Sequence, residues 1–262
     1  MKLETGNVLR AVAAAFFAAA GAAEADARRM MSPDGSVSVE IAVTPSNRMT
    51  YAVSFRGKQV LAPAAIGLTL DGKDLGRVST LTAVNVRDVH ERFPVRGAHA
   101  EGRYDALVAL FTAKPLEGPP FGLQCAVANE GFAWRFLVPG KGVRRVTAEA
   151  ACWRLPPESR VWYAERLSDW KLKSYAGEWL CAPLRDLCKV SPQGPVQAMP
   201  LVAELPEGGG YAAITEAALF RYSGLRLEAQ ADGALRGVFS EKDGFLADGQ
   251  FQEHQAEMVA EL

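Results

Sequence analysis

Gly208-Gly-Gly-Tyr-Ala-Ala-Ile-Thr-Glu216-Ala-Ala-Leu-Phe-Arg-Tyr222-Ser-Gly-Leu-Arg-Leu-Glu228 is the stretch from which the rest of the chain is read. A glycine run precedes a short apolar run that carries one carboxylate, Glu216. A polar turn at Ser223 and Gly224 follows, and then an alternating run from Leu225. The pattern predicts strand, corner, strand. An acid set among Tyr211, Ile214, Ala217 and Leu219 needs a partner or a metal, because an isolated buried carboxylate is costly.

Outward from this stretch the same period-2 signal recurs. Val37, Val39, Ile41 and Val43 alternate with small or polar residues, which predicts a half-buried strand. Thr44 to Arg48 reads as a turn, and Tyr51, Val53 and Phe55 alternate back, giving a hairpin. Shorter strands are expected at 59–61, 66–70 and 78–89, with Asp71-Gly72 as the turn between the last two. Strands at 106–112, 121–128 and 132–138 follow, the last two joined by Asn129-Glu-Gly131. Runs at 143–149, 152–155 and 199–205 complete the set. Leu225 to Ala229 and Ala234 to Phe239 form a hairpin about Asp232-Gly233, the strongest short-range turn signal in the chain. No helical period lasts three turns beyond the first residues. Many short strands at regular spacing predict an all-β sandwich or barrel.

The 262 residues carry a formal net charge of -1, with 49% hydrophobic and 23% charged residues. That suits a globular β domain with a sizeable core. It gives no electrostatic footing for a polyanion, so nucleic acid is not an expected partner. Lys2 and Arg10 precede Ala11 to Ala20, and small residues continue through Ala25. This reads as a secretory signal peptide over 1–25, with cleavage near Ala23 or Ala25. The apolar part is too short to span a bilayer. The expectation is an exported, periplasmic or secreted chain with no membrane contact after cleavage.

Cys125, Cys152, Cys181 and Cys188 allow three disulfide connectivities, with Cys181 and Cys188 near enough to close a small loop. Free thiols packed as small hydrophobes are the preferred reading. No Cys-x-x-Cys is present, and His90, His99 and His254 lie far from the cysteines in sequence, which argues against zinc. Pro156 to Gly194 is the least regular region. Its Trp162, Trp170, Trp179, Tyr163 and Tyr175 suit sugar stacking or, preferably, packing of a long loop onto the sandwich.

Five segments in register resemble the N-terminal domain of glycoside hydrolase family 97. They are the opening stretch, Ser32-Pro-Asp-Gly-Ser-Val-Ser-Val39 with Tyr51 to Val60, Asn129-Glu-Gly-Phe-Ala-Trp-Arg-Phe136, Ser174-Tyr-Ala-Gly-Glu178, and Gly194-Pro-Val-Gln-Ala-Met-Pro-Leu201. The resemblance implies a large β-super-sandwich of the galactose-mutarotase-like kind, two packed and mostly antiparallel sheets. It implies a module over 26–247, with 248–262 an atypical tail that reads as a frayed helix. The family hydrolyses α-glucosides or α-galactosides with calcium, on a (β/α)8 barrel that follows this domain. These residues show no alternating strand-helix region, and a barrel takes roughly 250 residues.

The expectation is therefore a carbohydrate-associated module with no catalytic residues of its own. The break from the family pattern near Asp248 suggests an interrupted gene. One residue carries over. The family's N-terminal domain sends a glutamate to the interface calcium, and Glu216 stands in that place. Calcium takes six to eight oxygens, so Glu216 alone is an incomplete site, and no tight calcium is expected on this chain alone. The plain alternative makes Glu216 a surface residue or the partner of Arg221 or Arg226. Expected partners are an α-linked carbohydrate or a separate barrel chain. Two other readings stay open: half of a split calcium-dependent α-glycosidase, and a periplasmic protein of non-sugar binding or assembly.

Overall fold

The computed structural model describes residues 26–97, 99–140, 143–165, 177–192, 194–217, 219, 222, 224–239 and 258–261. Residues 1–25, read above as a signal peptide, lie outside the described residues, as do Trp170, Tyr175 and Arg221.

Among the described residues the regular elements are all strands, apart from one short 3-10 turn at Leu184–Asp186. The first strands are β1 (Asp26–Met31), β2 (Val37–Val43), β3 (Met49–Phe55), β4 (Lys58–Ala65), β5 (Leu68–Leu70) and β6 (Lys73–Asp74). Then come β7 (Val78–Pro94), β8 (Glu101–Pro115), β9 (Phe121–Ala128), β10 (Gly131–Leu137), β11 (Val143–Glu149) and β12 (Cys152–Trp153). The last are β13 (Arg160–Glu165), β14 (Glu178–Pro183), β15 (Val196–Gln197), β16 (Leu201–Glu204), β17 (Tyr211–Ile214), β18 (Leu225–Ala229), β19 (Leu235–Phe239) and β20 (Met258–Glu261).

Among the described residues all ladders are antiparallel, and they divide into five four-stranded sheets. The orders are β1-β2-β3-β4, β10-β9-β8-β7, β20-β11-β5-β6, β12-β19-β18-β15 and β14-β13-β16-β17. The fold is the all-β class expected from the alternation. Val37, Val39, Ile41 and Val43 of β2 all face the core, as do Phe121, Leu123, Cys125 and Val127 of β9. In each case one face of the strand is fully buried and the other only partly or not at all, so a one-residue slip would bury the wrong set.

Turn chemistry sets the registers. Asp71 and Gly72 both take positive φ, 49° and 78°, between β5 and β6. Those angles fit a two-residue hairpin turn of the primed type. Asp34 ties the β1–β2 turn: its Oδ1 accepts from Ser32 Oγ at 2.7 Å and from Ser36 N at 2.9 Å. Its own N–H donates to Asn129 Oδ1 at 3.1 Å, which joins this turn to the β9–β10 turn.

Sheets are stapled through Tyr51 on β3, which is 1% exposed. Its ring lies 5.0 Å from Trp134 on β10, and Trp134 lies 5.7 Å from Trp153 on β12. The Tyr51 hydroxyl donates to the Cys152 carbonyl at 2.8 Å, so the buried polar tip is satisfied.

Two expectations are corrected. The 248–262 tail is not a frayed helix where it is described: Met258–Glu261 is a strand paired with Val143–Val146. A short polar helix is marginal without packing, whereas the outer edge of β11 offers a ready ladder. The Pro156–Gly194 region is also more regular than read, since it contains β13 and β14 paired over six residues each. The burial order of β13 mixes buried and exposed positions without a clean period, which hid the strand. All four cysteines are free, and burial raises the thiol pKa of Cys125.

Candidate functional site: an acid pair beside an aromatic sheet face

β17 ends at Ile214, which is buried, and the chain then leaves the sheet. Glu216 sits on this departure, half-buried. Its Oε2 accepts from the backbone N–H of Leu225 at 2.8 Å, at the first residue of β18. The carboxylate therefore fastens the corner between the two strands of the opening stretch. Burial raises the Glu216 pKa, and the Leu225 N–H opposes the rise.

A second acid lies near enough to feel its charge. Glu149 ends β11 and is half-buried. The hydroxyl of Tyr222 donates a short hydrogen bond to Glu149 Oε1. Tyr222 is itself held by Phe239 of β19, ring edge to face at 5.9 Å. Burial pushes the Glu149 pKa up to about 7, the tyrosine bond pulls it down, and the charge of Glu216 pushes it up again. The same burial, with both carboxylates nearby, raises the phenol pKa of Tyr222.

Two carboxyls that repel each other across a partly dry corner have two outcomes. One keeps a proton, or a cation neutralises both. Among the described residues, no group of three or more His, Cys, Asp or Glu gathers to hold a metal.

Glu216 is thus half-buried on the connection after β17 rather than a surface-facing strand residue. It lies beside Glu149 and Tyr222, two residues given no role in the sequence reading. Tyr222 lies within the quoted stretch, but Glu149 reaches it from 73 positions away. No local pattern announces that meeting.

The sheet that ends at Glu216 has an unusual outer face. Trp162 on β13 stands opposite Cys181 on β14 and Val202 on β16, and Val202 stands opposite Ala213 on β17. Trp179 and Tyr211 share that face by register. Trp162, Trp179 and Tyr211 are 41%, 43% and 70% exposed. The two tryptophans are therefore strand residues facing outward, not packing for a long loop, whereas Tyr163 points into the core.

Residues 30–248 match the family described as Glycosyl-hydrolase 97 N-terminal. The chain belongs to that family. The chain is similar to a retaining alpha-galactosidase of Bacteroides thetaiotaomicron, at 28% identity over 79% of this chain and 31% of the relative. A probable retaining alpha-galactosidase of Streptomyces bingchenggensis is 30% identical over 44% of this chain and 18% of its own length. Among solved structures, a beta-arabinopyranosidase superposes with TM-score 0.73 at 19% identity, over 90% of this chain and 38% of the other. A family 97 enzyme variant from Pseudoalteromonas sp. strain K8 gives TM-score 0.67 at 18% identity, over 82% and 32%. These structural matches establish the fold. The chain spans about a third or less of the length of the curated relatives it matches.

Proposed function

We propose that this domain is the carbohydrate-associated scaffold of a family 97 glycosidase, without turnover of its own. It presents Glu216 to a calcium ion shared with a (β/α)8 catalytic domain, and that shared ion is what couples the module to α-glycoside hydrolysis. The supporting observation is the position of Glu216. It is a half-buried acid, fastened by one oxygen to Leu225 N, beside a second acid with a raised pKa. It lies at the end of a sheet whose outer face leaves Trp162, Trp179 and Tyr211 exposed. A cation relieves the repulsion between Glu149 and Glu216, and an apposed domain supplies the missing oxygens and covers the aromatic face. The catalytic domain is carried on the same polypeptide or on a separate chain. The domain works outside the cytoplasm, in keeping with the signal-like residues 1–25.

The test uses the purified chain, alone and mixed with a family 97 catalytic domain stripped of its own N-terminal domain. Hydrolysis of a nitrophenyl α-galactoside and α-glucoside is followed with calcium and with chelator. The expected result is turnover only in the calcium-containing mixture, lost when Glu216→Gln replaces the native chain. Turnover by the chain alone, or a mixture indifferent to Glu216, overturns the reading.

A further inference from the structure

The hairpin of β7 and β8 outgrows its sheet. β9 pairs with β8 over Ala106–Ala113, whereas β7 and β8 stay paired as far as Pro94 and Glu101. Beyond β9, the stretch from His90 to Pro94 against Glu101 to Asp105 is a two-stranded arm. Such a ribbon is marginal by itself. This one is braced. His90 Nδ1 meets Asp105 Oδ1 at 2.7 Å, Arg103 Nε holds the other oxygen of that 6% exposed carboxylate, and Arg92 pairs with Glu101 at 2.7 Å. Phe93 lies over Gly102 so closely that a Cβ there would come within 2.4 Å of the ring.

β7 ends its sheet, and among the described residues no strand pairs with its outer edge. Edge strands usually carry a bulge or charges that block pairing. The two irregularities here lie between Val78 and Thr80 and between Ala83 and Asn85, and from Asn85 to Pro94 the register is regular. The charges in that run do not block pairing with a second copy. They fit one. Arg87-Asp88-Val89-His90-Glu91, laid antiparallel on itself about Val89, sets Arg87 opposite Glu91 and Asp88 opposite His90, each twice by symmetry. Only whole-residue shifts keep each side chain on its own face: a register centred on Asp88 sets that carboxylate opposite itself, and one centred on His90 relies on Arg92, which already pairs with Glu101. Opposite charges across strands stabilise a ladder and like charges disfavour it, so the first register is selected.

We propose that the outer edge of β7 pairs antiparallel with the same edge of a second copy, centred on Val89. Two four-stranded sheets then run on as one. Isologous pairing of this kind closes at two copies. The interface is independent of the proposed enzymatic role, since β7 and Glu216 belong to different sheets.

The full chain, 28.2 kDa, is measured by sedimentation across a concentration series, with the variants Arg87→Glu, Glu91→Arg and the double exchange. Melting temperature and circular dichroism confirm that each variant folds. The native chain is expected to reach twice the monomer mass. Each single reversal turns two attractive pairs into two repulsive ones, and is expected to weaken the dimer by about tenfold or more. The double exchange is expected to restore it to within about threefold. A native chain that stays monomeric at every concentration overturns the proposal. So does a dimer untouched by the single reversals, or a double exchange that stays monomeric.

Discussion

Glu149→Gln should flatten a pH dependence that the native chain carries. Glu149 titrates ordinarily at 4.5 and in the fold at about 7, because burial and the nearby Glu216 outweigh the Tyr222 hydroxyl. Between those values the folded chain holds a proton that the unfolded chain has released. Stability contributed by this group is therefore complete below pH 4.5, falls as pH rises, and is gone above 7. At about 1.4 kcal/mol per pH unit, the span sets an upper bound of roughly 3 kcal/mol. A glutamine has no proton to lose, and its amide oxygen still accepts from Tyr222. The assay is urea unfolding of both proteins at pH 5 and pH 8, read by tryptophan fluorescence. The exposed acids titrate alike in both, so the comparison isolates Glu149 together with its coupling to Glu216. The variant should gain on the native chain by about 2–3 kcal/mol between the two pH values, or roughly 1 M urea in midpoint. A constant difference across the range would mean that Glu149 is already ionised at pH 5, and the argument would fail.

Tyr222→Phe removes the one donor that lowers the Glu149 pKa, so the fall in stability should move to higher pH. The midpoint of the same pH series checks this. Tyr51→Phe leaves the Cys152 carbonyl without its 2.8 Å donor and should cost roughly 1–3 kcal/mol, seen as a Tm lower by several degrees. Gly67→Ala would place a Cβ 2.5 Å from the Gly76 backbone, and should destabilise by about 1–3 kcal/mol in urea unfolding. Millimolar calcium should leave the Tm of the isolated chain unchanged. A clear upward shift would mean that Glu216 belongs to a complete cation shell already present on this chain.

The fold was legible wherever burial was one-sided. Phe121 to Ala128 reads as a strand from the alternation alone, and the structure has the same limits. Asp232-Gly233 marked its hairpin for the same reason that Gly233 takes a φ of 80°. The far end of the β7–β8 hairpin was not legible. His90 to Pro94 and Glu101 to Asp105 are charged on both faces, so no period survives there. At the candidate site, Glu216 stood out as an acid in an apolar run. Glu149 did not, because it closes an ordinary strand and acquires its altered proton affinity only from Tyr222 and Glu216, brought to it by the fold.

The bond from the Tyr51 hydroxyl to the Cys152 carbonyl joins residues 101 positions apart. A ribosome adds roughly 5–20 residues per second, so Tyr51 waits roughly 5–20 seconds after its own synthesis before its acceptor exists. For the first part of that interval, until β7 to β10 are made, the apolar face of β2 and β3 lacks the strands it packs against. A nascent chain built this way depends on a holding factor, or on remaining unfolded, until its middle third has emerged.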